Sequence, residues 1–175
     1  MIFLTKILLI IQLLTSQMDI IAIGHSWAVG TFTDKFISEM QKEDINIELK
    51  AKTGALISWG RLQLVRVDSC KYDGIVLFLG INDYKKPYEW FEVKFNELIN
   101  ISLAKCNRVY VYNIPRYYNC EKKIIKINEY LNSLNNDSTI IILDVWNEYK
   151  NNSTLHPLSY YKSQQILKNK LLWKQ

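Results

Sequence analysis

Five short apolar runs, each followed by an amphipathic segment, constrain the fold of this chain more than any other feature of its sequence. The runs cover residues 20–23, 45–49, 75–79, 109–112 and 139–143, and the segments between and after them predict helices over 28–41, 56–67, 87–105, 121–134 and 157–172. The run 75–79, Ile-Val-Leu-Phe-Leu, is the most apolar. Such a run is typical of a central parallel strand that helices cover on both faces. The alternation therefore predicts an α/β fold with a parallel sheet between two helical layers.

The bulk properties of the chain fit one domain and exclude several functions. The 175 residues suffice for a single core, and the pattern has no internal repeat or linker. The net charge is +5, but the lysines are dispersed, which argues against a nucleic-acid partner. Three cysteines without C-x-x-C spacing and only two histidines argue against a metal site. We therefore expect a protein without a bound metal.

Residues 1–17 form an apolar leader that precedes the predicted domain, 18–175. The run resembles the core of a signal peptide and is short for a membrane span, which needs about 20 residues. Two interpretations stay open: a signal or anchor, or an extension that is not part of the native protein if translation starts at Met18. The first implies a secreted or membrane-associated protein, which could contact a membrane through this leader alone. The second implies a cytoplasmic one.

Four polar or glycine positions follow the predicted strands or precede the last helix. Ser26, Gly54 and Asn82 come just after the first, second and third apolar runs, and His156 stands in a polar loop before the last helix. Right-handed crossovers place the carboxyl ends of parallel strands at one edge of the sheet, where ligands bind. We therefore expect Ser26, Gly54, Asn82 and His156 to meet in one cleft at that edge.

The chemistry of these four groups suits acyl-ester hydrolysis. Ser26 supplies a hydroxyl nucleophile, and His156 an imidazole that can take its proton. The Gly54 N–H and the Asn82 side-chain amide are donors for an oxyanion. Each residue also has a simpler interpretation. Ser26 would then be a helix N-cap, Gly54 a turn glycine, Asn82 a turn or cap residue and His156 a surface residue.

Four sequence blocks resemble those of the SGNH hydrolase superfamily, the GDSL-like esterases and lipases. They are Gly24-His25-Ser26, the turn at Gly54, Gly80-Ile81-Asn82-Asp83 and Leu155-His156-Pro157, and the resemblance spans residues 19 to about 161. It implies a three-layer flavodoxin-like fold with strand order 2-1-3-4-5 and no cofactor. It also implies that Ser26 is the nucleophile and His156 the base. The oxyanion hole would consist of the Ser26 and Gly54 N–H groups and the Asn82 side chain.

Two positions depart from the family pattern. The family has an aspartate three residues before the histidine, where this chain has Ser153, and another in the first block, where it has His25. Losing the orienting carboxylate lowers turnover about ten-thousand-fold in a serine protease. Asp144 is an alternative acid, although a residue there is usually structural in the family. His25 should point away from Ser26 and is not expected to act as the base.

The sequence thus predicts a weak serine esterase that acts on a small acyl ester. An acetylated glycan is the first expectation for the substrate and a short-chain lipid the second. Trp27 and Trp59 would line its pocket or pack helices on the sheet. The alternative is a catalytically impaired relative that binds a glycan or a protein. A phosphate-binding α/β domain is a weaker third interpretation, since no glycine-rich loop follows the first strand.

Overall fold

The protein has a five-stranded, all-parallel sheet with strand order β2-β1-β3-β4-β5, as expected from the sequence. The computed structural model describes residues 17–116, 121–149 and 156–172. The strands are β1 (Met18–Gly24), β2 (Ile45–Ala51), β3 (Gly74–Phe78), β4 (Val109–Tyr112) and β5 (Ile140–Leu143). The helices are α1 (Ser26–Thr31), α2 (Asp34–Gln41), α3 (Ile57–Val65), α4 (Tyr88–Leu103), α5 (Glu121–Ser133) and α6 (Tyr161–Leu172), and one 3-10 turn covers Ile81–Asp83.

Two apolar clusters, one on each face of the sheet, make the fold three-layered. Alternate strand residues point to opposite faces. Ile75 and Leu77 of β3 therefore pack with Leu64 of α3, Phe95 of α4 and Leu131 of α5. Val76 and Phe78, from the same strand, join the cluster that contains residues of α1, α2 and α6. All five residues of β3 are buried, which confirms the prediction of a central strand covered on both sides.

The strand register places three loops at one edge of the sheet. Gly24, the last residue of β1, pairs with Ala51 of β2 and with Phe78 of β3. The His25 N–H donates to the Phe78 carbonyl over 3.1 Å, and the Lys52 N–H donates to the Gly24 carbonyl over 3.0 Å. The segments that carry Ser26, Gly54 and Asn82 therefore leave the carboxyl edge side by side.

The first and last predicted helices differ most from the observed ones. Residues 28–41 form two helices, because the Thr33 hydroxyl accepts the Phe36 N–H and caps α2, while Phe32 leaves helical geometry at ψ 60°. The last helix begins at Tyr161 rather than at residue 157. The segment 156–160 is thus a loop, and His156 belongs to that loop.

Several predictions concern residues outside the described ones. Most of the apolar leader, Ser153 and Leu155 lie there, so the division into residues 1–17 and 18–175 stays a prediction. Among the described residues, every helix is too short or too polar to cross a bilayer.

Candidate active site

Ser26 is the first residue of α1, and its neighbour His25 caps that helix. The His25 Nδ1 accepts the Trp27 N–H over 3.2 Å. The interpretation of Ser26 as the N-cap is therefore wrong, because the histidine already occupies the capping position. The Ser26 side chain is partly exposed at the carboxyl edge of the sheet.

Ser26 and His156 meet, although 130 residues separate them in the chain. Ser26 Oγ lies 3.2 Å from His156 Nε2, and His156 Nδ1 lies 2.6 Å from Tyr160 Oη. The three side chains form a continuous row of hydrogen bonds. Which ring nitrogen carries the proton depends on the tautomer.

Tyr160 is held beside α1 by close packing. Its ring lies against the backbone of Gly30, where a Cβ atom would come within 2.5 Å of the tyrosine Cζ. The Trp27 ring contacts the same tyrosine edge to face, with centroids 5.3 Å apart. Burial raises the pKa of Tyr160 to about 12, so the group beside His156 is a neutral phenol at neutral pH.

His25 is buried and neutral. Only 1 % of its surface is exposed, and its ring packs edge-on against Phe78 with centroids 5.3 Å apart. Burial, with a smaller contribution from His156, lowers the pKa of His25 to about 3. The position that carries an aspartate in the family pattern therefore holds an uncharged hydrogen-bond acceptor here.

Gly54 and Asn82 lie in adjacent loops. The Asn82 Nδ2 donates to the Ala55 carbonyl over 3.0 Å, which ties Asn82 to the residue that follows Gly54. An amide nitrogen has two hydrogens, so the second remains for a ligand. Gly54 is exposed and has φ +74°, a conformation that favours glycine. In the described part of the chain, the N–H groups of Ser26 and Gly54 have no acceptor. The assignment of these donors to an oxyanion hole stays a prediction.

Asp83 fixes the position of the same loop. Its Oδ2 accepts the Ile57 N–H over 2.9 Å, at the start of α3, only three residues beyond Gly54. Burial raises the pKa of the Asp83 carboxyl. Asn82 and Asp83 together thus hold both ends of the segment between Gly54 and α3.

Other residues considered from the sequence have structural roles. Asp144 accepts hydrogen bonds from Asn113 Nδ2, over 2.8 Å, and from the side chain and N–H of Asn147. Trp27 is 1 % exposed and packs against Phe78 and Tyr149, so it does not line an open pocket. Trp59 is partly buried and packs against the core on the other face of the sheet.

Tyr160 is the site residue that the sequence did not reveal. Its only signal was its place four residues after His156, in a segment predicted as helix.

No group of His, Cys, Asp and Glu side chains within the described ranges could hold a metal ion.

Several solved structures described as GDSL-type lipolytic proteins share this fold. A member of the lipolytic G-D-S-L family from Veillonella parvula aligns with TM-score 0.69 and 15% identity over 89% of this chain and 97% of that one. A GDSL-like lipase from Bacteroides thetaiotaomicron gives TM-score 0.69 and 11% identity, covering 90% and 86% of the two chains. Phospholipase A1 from Streptomyces albidoflavus gives TM-score 0.60 and 14% identity over 89% and 100%.

The resemblance to this superfamily is therefore confirmed for the fold. No family model matches the sequence, and no curated protein matches it either.

Proposed function

We propose that this protein is a serine esterase that hydrolyses a small acyl ester, with Ser26 as the nucleophile and His156 as the base. The observation that carries the proposal is the 3.2 Å contact between Ser26 Oγ and His156 Nε2 at the carboxyl edge of the sheet. That distance lies at the outer limit for proton transfer in a site without substrate, and such contacts tighten when substrate binds. The fold shared with GDSL-type hydrolases supports the same conclusion.

The proposed reaction has two halves. Ser26 Oγ attacks the ester carbonyl while its proton moves to His156 Nε2, and the N–H groups of Ser26 and Gly54 and the Asn82 amide bind the oxyanion. The tetrahedral species collapses, and the alcohol leaves with the proton from Nε2. Water then attacks the acyl-serine with His156 again as base, which releases the acid and restores the serine hydroxyl.

The groups around His156 support a slow rather than a fast enzyme. Ser153 replaces the family's orienting aspartate in the sequence. Tyr160, which contacts Nδ1, is a neutral phenol and not a carboxylate. An imidazolium formed in the transition state would thus have a weaker electrostatic partner than in a Ser-His-Asp triad.

A serine-reactive probe tests the proposal without knowledge of the natural substrate. An alkyl fluorophosphonate should label the wild-type protein on Ser26, with loss of fluoride, and p-nitrophenyl acetate should be hydrolysed slowly. Ser26→Ala should lose the labelling and the hydrolysis. Ser38→Ala, an exposed serine of α2, is the matched control and should retain both. Equal labelling of the two variants would contradict the proposal.

The second candidate is a binding module with an impaired site. The neutral partner of His156 and the serine at position 153 favour it. In that case the wild-type protein should neither react with the probe nor hydrolyse the ester. It should instead bind an acylated glycan or a protein with an affinity that Ser26→Ala leaves unchanged.

A further inference from the structure

We infer that Tyr160 positions His156 for proton transfer and takes the place in this site that an aspartate has in the family pattern. The inference rests on the proposed esterase function and deepens it. Its basis is the 2.6 Å contact between Tyr160 Oη and His156 Nδ1, on the side of the ring opposite to Ser26. Tyr160 is a positioning residue, because it reaches the reaction only through the imidazole.

The geometry holds the phenol in place from several directions. The ring packs against Gly30 and against the Trp27 ring, both of α1, the helix that also carries Ser26. On the chain side, the Tyr160 carbonyl accepts the Ser163 hydroxyl over 2.7 Å and the Gln164 N–H over 3.1 Å. The Gln164 side chain in turn donates to the Thr31 carbonyl over 2.8 Å. Tyr160 and Ser26 are therefore fixed to the same helix, which sets the position of the imidazole between them.

A phenol orients an imidazole less strictly than a carboxylate does. A carboxylate only accepts, so it requires a proton on Nδ1 and leaves Nε2 free to accept from the serine. A phenol either accepts from Nδ1–H or donates to a bare Nδ1. In the second arrangement Nε2 carries the proton and donates to Ser26 Oγ, and His156 is then unable to act as a base. Proton transfer uses the first arrangement only.

Protonation of His156 strengthens the bond that Tyr160 accepts. In the imidazolium, Nδ1–H donates a charge-assisted hydrogen bond to the Tyr160 oxygen, and such bonds are stronger than neutral ones. Two other titratable groups among the described residues interact with His156 or Tyr160. They are His25 at the start of α1 and Tyr149 in the turn after β5. His25 is uncharged at neutral pH, since its pKa is about 3. Tyr160 thus stabilises the imidazolium that forms when His156 takes the serine proton.

The test measures the rate of fluorophosphonate labelling against probe concentration in two tyrosine variants. Tyr160→Phe removes the hydroxyl and keeps the ring that packs on Gly30. Its second-order labelling rate should fall about tenfold, the effect of losing one hydrogen bond of about 1.4 kcal/mol. The loss should fall on the labelling rate at saturating probe and not on the affinity for the probe, because Tyr160 reaches the reaction only through the imidazole. Tyr161→Phe is the matched control, since that side chain is 62% exposed, and it should leave both values unchanged.

A second variant separates the hydroxyl from its position. Gly30→Ala keeps the phenol but forces it away from α1, because the added methyl group would meet the tyrosine ring. Its labelling rate should fall at least as far as that of Tyr160→Phe.

If neither variant folds, an NMR measurement on the wild-type protein tests the inference. Its NMR spectrum should contain a slowly exchanging His156 Nδ1 proton with a nuclear Overhauser contact to the Tyr160 ring, and its absence would overturn the inference.

The outcomes distinguish the two proposals. A wild-type protein that reacts with the probe, together with a Tyr160→Phe variant that reacts at the same rate, overturns the role of Tyr160 and leaves the esterase function intact. A folded wild-type protein that does not react overturns the esterase function itself. A slower Tyr160→Phe with unchanged affinity for the probe, beside an unchanged Tyr161→Phe, supports both.

Discussion

His25→Asn should make the stability of this protein less sensitive to acid. His25 is buried, and burial lowers its pKa from 6.5 to about 3. Between these two values the unfolded chain binds a proton at this residue and the folded protein does not. The free energy of unfolding therefore rises with pH in this window and falls as the solution is acidified from pH 6.5 toward 3.

The expected size of the effect follows from the two pKa values. One pH unit inside the window corresponds to about 1.36 kcal/mol for one proton. Acidification from pH 7 to pH 5 crosses about 1.5 units of the window, so His25 should cost the wild-type protein about 2 kcal/mol over this range. Asparagine does not titrate, yet it can accept the Trp27 N–H at the cap as the imidazole does.

Urea denaturation at pH 7 and pH 5 measures this difference. His25→Asn should lose about 1 kcal/mol at pH 7, because the smaller side chain leaves space beside Phe78. The variant should regain about 2 kcal/mol relative to the wild-type protein at pH 5.

One result would refute the argument. Suppose that the wild-type protein and His25→Asn lose the same free energy of unfolding between pH 7 and pH 5. Then the folded protein binds a proton at His25 as readily as the unfolded chain does. The interpretation of His25 as a buried, neutral cap would then be wrong.

Two further predictions concern the glycines at the sheet edge and the position of the missing acid. Gly24→Ala should lower the free energy of unfolding by about 3 kcal/mol, because the new methyl group would lie 2.5 Å from the Ala28 Cβ and 3.0 Å from the Phe78 carbonyl oxygen. At Gly54→Ala, no atom of the described residues beyond the chain neighbours lies within 4 Å of the added Cβ, so the change should cost about 1 kcal/mol through its positive φ alone. Equal losses for the two variants in urea denaturation would contradict this comparison. Ser153→Asp should accelerate hydrolysis of p-nitrophenyl acetate, because a carboxylate accepts from Nδ1–H and favours the tautomer in which His156 is a base. An unchanged rate would mean that residue 153 does not reach the imidazole.

The amino-acid sequence by itself determined the architecture of this protein. The apolar run 75–79 is buried whichever helices cover it, so its role as the central strand follows from composition and length alone. Parallel strands joined by right-handed crossovers leave few arrangements, and the resemblance to the SGNH superfamily selected one of them. The approach of Ser26 to His156 also followed from the sequence, because the blocks that contain these residues keep the family's order along the chain.

The tertiary structure alone decided which group completes the row of hydrogen bonds. Tyr160 reaches His156 because Gly30 leaves room for the tyrosine ring against α1. Gly30 and Tyr160 are 130 positions apart in the chain. The burial of His25, which caps α1, likewise depends on β3, because its ring packs against Phe78. Both contacts depend on the distance between elements that are remote in sequence. Local patterns of polarity and turn chemistry do not encode such distances, since packing of the whole core fixes them.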